Sequence, residues 1–574
     1  MQQGSKESPR KEIKQEGILP QAGRQDSRPE AKGSSRRDFI KSVGCFGLAL
    51  GALSVTGCSS QTPTNDTVSK VEDISWDETW DIIVVGAGLA GTSAAVTVAT
   101  EGEGAKCLLL EKSPADFGGG NSPYSSGYVL YAKSAADITV YLKALRGHMT
   151  NTPDDVIEAY AKGLTENLEW AYKLGLTDDM MRIDSVEKLS FSFCWPEYPE
   201  LPGCDAMGTF IMAPANMSNE DFVKLDPAET HIARFMAKKV SEYPDAITEL
   251  TKAPLTGLIQ DPTTKTVLGV IYEYGGKTVY AKATRGVIMC CGGFENNPEM
   301  VQDYLSMPVA FARAAVHNTG DGHLVCQKIG TAFWHMNSYA GFWNNIRKLD
   351  GSAMGNYFGV DKGSGITVSR GGRRFYMDWD ACVLNDWPGQ DRGDTFETAV
   401  GCRHGHFQFG GEWPHLPMPA ESWFIFDAAH LEKAYGTNGT DPIADGFGYK
   451  ADSIADLAKL AGLPVEELEQ TVATWNGYCK AGRDLSFFRP LETLASIEKA
   501  PFYALRCAPE WINTDGGPVR NAKGEVLDLD GKVIPGLYSA GEFGSVWSEM
   551  YQGAGNLGEC MAYGRISARN CLAR

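Results

Sequence analysis

The stretch "WDIIVVGAGLAGTSAAVTVAT", Trp80 to Thr100, decides the fold. An apolar strand, Ile82 to Val85, runs into glycines at positions 86, 88 and 91, and an alanine-rich helix follows. "CLLLEK" then gives a second strand ending at Glu111. Each part has a task in a βαβ dinucleotide site. Gly86 permits the tight turn, Gly88 lets backbone approach a pyrophosphate, and Gly91 lets the helix close on the strand. The helix N-terminus offers unsatisfied N–H groups to phosphate. Glu111 lies where a carboxylate can take the hydroxyls of an adenosine ribose. The glycine pattern alone would be weak; strand, helix, second strand and acid in register make it specific.

A chain of 574 residues holds two to four domain-sized units. With 43% hydrophobic and 22% charged residues it reads as globular. Its net charge of −19 argues against nucleic acid or anionic lipid as the main partner. The 64 glycines fall in clusters, which suits a backbone that passes close to a large ligand. Residues 1–34 are polar and read as disordered. "SRRDFIK", Ser35 to Lys41, precedes an apolar run from Val43 to Val55 and "VTGC" ending at Cys58. Paired arginines before a short apolar segment predict a twin-arginine export signal. The segment 1–58 is therefore read as a signal of lipoprotein type, cut before Cys58, the lipidated residue, and 59–77 as a linker. The expected location is periplasmic or cell-surface. No C-x-x-C, haem or iron–sulfur spacing occurs and the histidines show no convincing metal pattern, so no metal is expected.

The choice between FAD and NAD turns on later segments. "FGGGNSPYSSGYVLYA", Phe117 to Ala132, places Gly119, Gly120, Asn121 and Ser122 just after the acid, small enough for the chain to run along a flavin. "GVIMCCGGFENNPEMV" is a strand running into Gly292 and Gly293; "HNTGDGH" holds Asp321, and "KVIPGLYSAGE" ends at Glu542. This ordered set resembles the FAD-binding segments of the fumarate reductase/succinate dehydrogenase flavoprotein superfamily. The resemblance implies an α/β fold: a Rossmann-like FAD-binding domain, split between 78–330 and 505–574, with an inserted α+β capping domain at 331–504. It implies that Glu111, Lys112, Gly119, Gly120, Asn121, Ser122, Gly127, Asp321, Glu542 and Met561 join the three motif glycines around FAD. No histidine follows Gly119–Gly120, where membrane-bound members attach the flavin, so non-covalent FAD is expected. Within the cap, residues 453–480 predict two amphipathic helices around a Leu-Pro turn.

The substrate positions depart from fumarate reductases. Their proton-donating arginine follows a segment like "WFIFDAAHLEKAYG", Trp423 to Gly436, but no arginine stands near Leu431. Asn513 occupies the place of their histidine before the Thr514–Gly517 turn, and Asn556 the place of their last substrate-clamping arginine. A desolvated dicarboxylate needs paired charges, so fumarate and succinate are rejected. "MYQGAGN", 550–556, instead resembles the Y-x-G-x-G of 3-ketosteroid dehydrogenases. That resemblance implies that the Tyr551 hydroxyl and the Gly555 N–H bind a ketone oxygen as an oxyanion hole. The branch carries a further cap tyrosine after a G-x-R-F segment. In "RGGRRFYMDWDAC", Arg370 to Cys382, that position falls on Cys382, and Tyr376 is out of register. The proton-transfer residue is therefore unassigned, with Arg403 and Tyr339 as candidates.

The expected protein is an exported FAD-dependent oxidoreductase that reduces, or desaturates, a C=C bond conjugated to a carbonyl. Its substrate would be neutral and hydrophobic, such as a steroid-like enone or lactone. Outside the cytoplasm, electrons would pass through a membrane-bound redox partner, a c-type cytochrome or quinol oxidoreductase, in anaerobic respiration. Two alternatives stand beside this reading. One is a reductase of an aryl acrylate or other enoate carboxylate, using Arg403 or Arg347. The other is a flavin electron-transfer lipoprotein without alkene chemistry.

Overall fold

The computed structural model describes residues 74–115, 118–147, 150–185, 198, 201–212, 227–305, 315–350, 362–376, 378, 421–431, 434, 441–489, 491–548 and 550–574. The segment expected to be an export signal, Cys58, Cys382 and Arg403 lie outside the described residues. The main sheet has eight strands: β1 (Glu78–Val85), β2 (Cys107–Leu110), β3 (Ile247–Leu250), β4 (Leu255–Gln260), β5 (Val267–Tyr274), β6 (Lys277–Met289), β7 (Glu525–Leu527) and β8 (Val533–Ser539). Their order is β7-β8-β6-β1-β2-β3, and the β4–β5 hairpin adds to β6 through β5. Strands β8, β6, β1, β2 and β3 run parallel. Strand order reverses between β1 and β6, so a crevice opens at the carboxyl ends of these strands. Chain from both ends of the sequence meets in this sheet, since β7 and β8 extend what β1 begins.

Both faces of the sheet are covered, which is why its strands are continuous apolar runs. Successive side chains alternate between two cores. Ile82, Val84, Leu109 and Ile288 face one core. Ile83, Val85, Leu108 and Val287 face the other. Helix α1 (Leu89–Glu101) packs beneath β1, and helix α2 (Gly555–Leu572) packs on α1. Small residues allow that approach: a Cβ at Gly564 would lie 2.7 Å from the Ala90 carbonyl oxygen.

A second, antiparallel sheet joins Tyr339–Ile346, Phe502–Thr514, Ser422–Asp427 and Ile366–Ser369, with Gly448–Ala451 also on Phe502–Thr514. The strand Phe502–Thr514 runs across position 504/505, where the sequence reading ended the cap. The predicted helix pair is present as Ile454–Ala461 and Val465–Ala481, with Leu463 and Pro464 between. Its anchor is Trp475. Arg374 and Arg489 each stack on the Trp475 ring at 4.7 Å. Both guanidiniums reach the buried Asp378 at 2.9 Å. Burial opposes ionisation of Asp378, but Arg374 and Arg489 overcome it and hold the carboxyl below its usual range.

Two predictions follow from this packing. Asp378→Ala leaves two buried guanidiniums without their shared anion, and it should destabilise the fold by about 3–5 kcal/mol in denaturant unfolding. The second concerns His323, buried among the rings of Phe294, Phe333 and Phe543. Its Nε2 donates to the Gly516 carbonyl at 2.8 Å, and Nδ1 has no partner among the described residues. Burial pushes His323 down to about 4. Between about 6.5 and about 4 the unfolded chain takes up a proton that the folded chain refuses. Stability should therefore fall as pH drops through that window, by up to ~1.4 kcal/mol per pH unit. Unfolding of His323→Gln, compared at neutral and mildly acid pH, should show a shallower loss.

Candidate active site

A cleft opens at the carboxyl ends of β1, β2 and β6. One wall is the glycine loop and the start of α1, with Gly86, Gly88, Leu89 and Ala90 on its surface. Gly86 has φ +99°, and a Cβ there would lie 2.3 Å from the Cys290 carbonyl oxygen, so only glycine fits. Gly91 does not line the cleft. A Cβ at Gly91 would lie 1.8 Å from the Gly86 carbonyl oxygen, so its absence seats α1 on the turn.

Glu111 is buried on the cleft wall and organises the loop. Its carboxylate accepts the Ala87 N–H at 3.0 Å and the Ser113 N–H at 2.8 Å. A carboxylate has about four acceptor positions, so ribose hydroxyls can still be taken. At the N-terminus of α1, Gly88 brings no capping side chain, and the Ser122 hydroxyl takes the Leu89 N–H at 2.9 Å. The remaining first-turn donors suit a phosphate. The donor and acceptor set therefore fits a dinucleotide cofactor. Lys112 and Asp321 pair at 2.6 Å at the same cleft. Burial works against the Asp321 anion, but hydrogen bonds from Lys112 and Thr319 outweigh it and hold the acid below its usual range.

Gly119, Gly120, Asn121 and Glu542 complete the surface, with Cys290 and Cys560 nearby. Behind them lies a carboxyl cluster. Asn121 Nδ2 is 2.5 Å from Glu295 Oε1 and 3.3 Å from Glu542 Oε2. Asn318 Nδ2 is 2.7 Å from the same Glu295 oxygen, and the Thr514 hydroxyl reaches the other at 3.3 Å. Burial raises both acids, Glu542 well above its ordinary value with further push from Glu295 and Asp515. Asp515 is fully buried, next to Asn513 at 2.8 Å and Ser338 at 3.1 Å, and burial together with Glu559 raises it too. Glu559 is neutralised by the buried Arg520, which also lies over the Tyr563 ring at 4.0 Å. The cleft thiols are inert: burial drives Cys290 far up and Cys291 to about 12.

Tyr551 and Gly555 sit at the head of α2, and neither lines this cleft. Tyr551 is buried edge-on against Trp547, centroids 5.4 Å apart. Its hydroxyl oxygen accepts the Asn556 N–H at 3.3 Å. The Gly555 N–H donates to the Gln552 carbonyl at 2.9 Å, closing a turn in which Ala554 has φ +69°. In this arrangement the Gly555 N–H is not presented to a ligand, which corrects the expected second donor. What the glycine provides is space, since a Cβ would lie 2.3 Å from the Trp547 ring. Two other expected cofactor contacts are displaced. Met561 is wholly buried in the core beneath α2, one position round the helix from Cys560, which does reach the cleft. Gly127, φ +79°, lies against His231 instead. Tyr339 is buried beside Phe294, with Phe375 and Tyr376 packed on the same cluster.

Sequence reasoning missed Glu295, Asn318, Asp515 and Cys560. Glu295 and Asp515 stood inside quoted motifs, "GGFENN" and the Thr514–Gly517 turn, but only the fold shows that they converge. Replacing Glu111 by alanine would strand the Ala87 and Ser113 N–H groups and remove the ribose acceptor. Flavin retained per protein, read from absorbance after gel filtration, should drop at least about tenfold in affinity. Unchanged flavin content would show that Glu111 has no part in cofactor binding.

Residues 81–557 match the family described as FAD binding domain. The 3-oxosteroid 1-dehydrogenase of Mycolicibacterium smegmatis is 26% identical, aligned over 86% of this chain and 97% of its own. The digoxin reductase of Eggerthella lenta is 27% identical over 94% of this chain and 97% of its own. Among solved structures, 3-ketosteroid delta1-dehydrogenase from Sterolibacterium denitrificans, in complex with 1,4-androstadiene-3,17-dione, superimposes with a TM-score of 0.65 at 23% identity, over 86% of this chain and 100% of that one. The match spans Glu111, Glu295, Asp515, Glu542 and the turn of Tyr551, and the chain belongs to the FAD binding domain family as an FAD-dependent oxidoreductase.

Proposed function

We propose that this protein is an exported enzyme that reduces, or in the reverse sense desaturates, a C=C bond conjugated to a carbonyl in a neutral hydrophobic substrate. A steroid-like enone or lactone fits this description. The observation that carries the reading is Tyr551, a buried phenol at the head of α2. Its oxygen accepts the Asn556 N–H, a first-turn donor at the positive end of the helix. A hydroxyl that accepts such a bond is a stronger donor through its own proton. It is therefore suited to a carbonyl oxygen on which negative charge builds. Trp547 gives the site an apolar side. Names of relatives point the same way, one dehydrogenating a 3-oxosteroid and one reducing digoxin.

Bound FAD, held without a covalent link, supplies the hydride exchange with the substrate carbon. The chain's part is to hold the carbonyl and shut out water. Of the proton-transfer candidates, Tyr339 is pushed up to about 12 by burial, which makes it a poor acid at neutral pH. Electrons are proposed to arrive from a membrane-bound c-type cytochrome or quinol oxidoreductase, in keeping with the proposed export and a proposed role in anaerobic respiration.

Dithionite-reduced, signal-free protein should be reoxidised by a 4-en-3-one steroid and far more slowly by fumarate or cinnamate. Tyr551→Phe should slow the steroid reaction roughly 100-fold, as expected for one lost donor to a developing oxyanion. Rapid reoxidation by a carboxylate alkene, with the variant unaffected, would reject the polarised-ketone reading.

A further inference from the structure

Glu295, buried, and Glu542, half-buried on the cleft wall, are two carboxyl groups joined by one amide. Their surroundings differ. Glu295 is wholly buried and receives donors from three neutral side chains: Asn121 at 2.5 Å, Asn318 at 2.7 Å and Thr514 at 3.3 Å. The Thr514 oxygen already accepts the Phe294 N–H at 2.8 Å, which turns its own proton toward Glu295. Such a set satisfies an anion. Among the described residues Glu542 has the longer contacts of the same Asn121 amide, 3.3 and 3.4 Å, which fall to both of its oxygens. It lines the cofactor cleft, and Glu295 does not. A second anion at Glu542 would be half-buried, poorly solvated and set against the first.

We infer that Glu295, which does not itself line the cleft, is a positioning residue that fixes Glu542 as a neutral hydrogen-bond donor toward bound FAD. Pairs of acids whose environments are pushed apart divide into one base and one acid in this way. The other groups around Glu542 reinforce the assignment. Glu559 adds negative potential from α2. Arg520 is spent on Glu559 and on the Gly541 carbonyl at 3.3 Å. The neighbouring thiol, Cys560, is held neutral by burial. Lys112 is paired with Asp321 at the same cleft. The neutral acid then meets an acceptor oxygen or nitrogen of the cofactor, whichever alkene is the substrate.

The test is FAD release from diluted holoenzyme, followed by flavin fluorescence between about pH 6 and about pH 10. Wild type should release more FAD as pH rises and Glu542 loses its proton. Glu295→Gln removes the opposing charge, so the rise should begin at lower pH, with release about tenfold greater on the limb. Glu542→Gln, a permanent neutral donor, should retain FAD with no such limb. Retention that improves with pH, or a limb unmoved by Glu295→Gln, would overturn the inference. Infrared spectroscopy gives a second arm that does not need the Glu295 variant to fold. At neutral pH the protonated-carboxyl carbonyl absorption of the wild-type holoenzyme should exceed that of Glu542→Gln by the contribution of one carboxyl, and identical absorption in both proteins would overturn the inference.

Discussion

The approach of α1 to the turn after β1 is the constraint on which the rest of the molecule depends. A single methyl at Gly91 would sit 1.8 Å from the Gly86 carbonyl, well inside contact distance, so the helix could not start where it does. Because it does, the α1 N-terminus lies level with the end of β2, and Glu111 can accept the Ala87 N–H. Ser122 reaches Leu89 from the next segment by the same geometry. Helix α2 packs in turn on α1 through Gly564. It therefore carries Cys560 to the cofactor cleft and Tyr551 to the turn that precedes it. One close contact thus sets the relation between the dinucleotide site and the residue proposed to hold the substrate.

The interior next to that cleft is acidic. Glu295, Asp515 and Glu559 are buried together with the half-buried Glu542 beside them, and Arg520 is set against Glu559 among the described residues. Carboxyl groups taken out of water resist ionisation, and like charges at this spacing add to that resistance. The cluster is consequently a place where protons are held, and neutral amides carry much of its hydrogen bonding. Asn121 and Asn318 serve Glu295, and Asn513 serves Asp515. An amide can donate without adding charge, so it stabilises one anion without drawing its neighbours into ionising.

Most of the fold was legible in the sequence because it follows local rules. The glycine spacing, the apolar strands and the acid after "CLLL" each impose a geometry that operates within a few residues. The helix pair beyond Ser453 was legible for the same reason: Ser453 caps the first helix through the Asp456 N–H at 3.1 Å, and Gly462 ends it with φ +68°. The carboxyl cluster was not legible. Glu295 and Glu542 are 247 residues apart in sequence and meet only because β6 and β8 are neighbours in the sheet. Met561 and Cys560 show the finer limit. One step along a helix turns a side chain by about 100°, enough to exchange cleft for core. The G-x-R-F segment teaches something else: Arg374 grips Trp475 and Asp378, so its arginine is explained by the packing of the second sheet's helices.

The same cluster bears on the kind of substrate. Asn513 and Asn556 stand where fumarate reductase-like sequences carry a histidine and an arginine, and Asn513 lies 2.8 Å from Asp515. A histidine or arginine beside Asp515 would be drawn into an ion pair with that buried acid, and Asp515 would then stand ionised. With an amide there, the cheapest state of Asp515 is the neutral acid that its burial already favours. Replacing cations by amides at these positions and keeping the acid proton-bound are therefore one electrostatic choice. The result is a cluster in which Arg520 is set against Glu559 and neutral amides stand beside Asp515. That balance is the physical ground for preferring a neutral ketone or lactone over a dicarboxylate, and it stands apart from the short tyrosine motif that first suggested it.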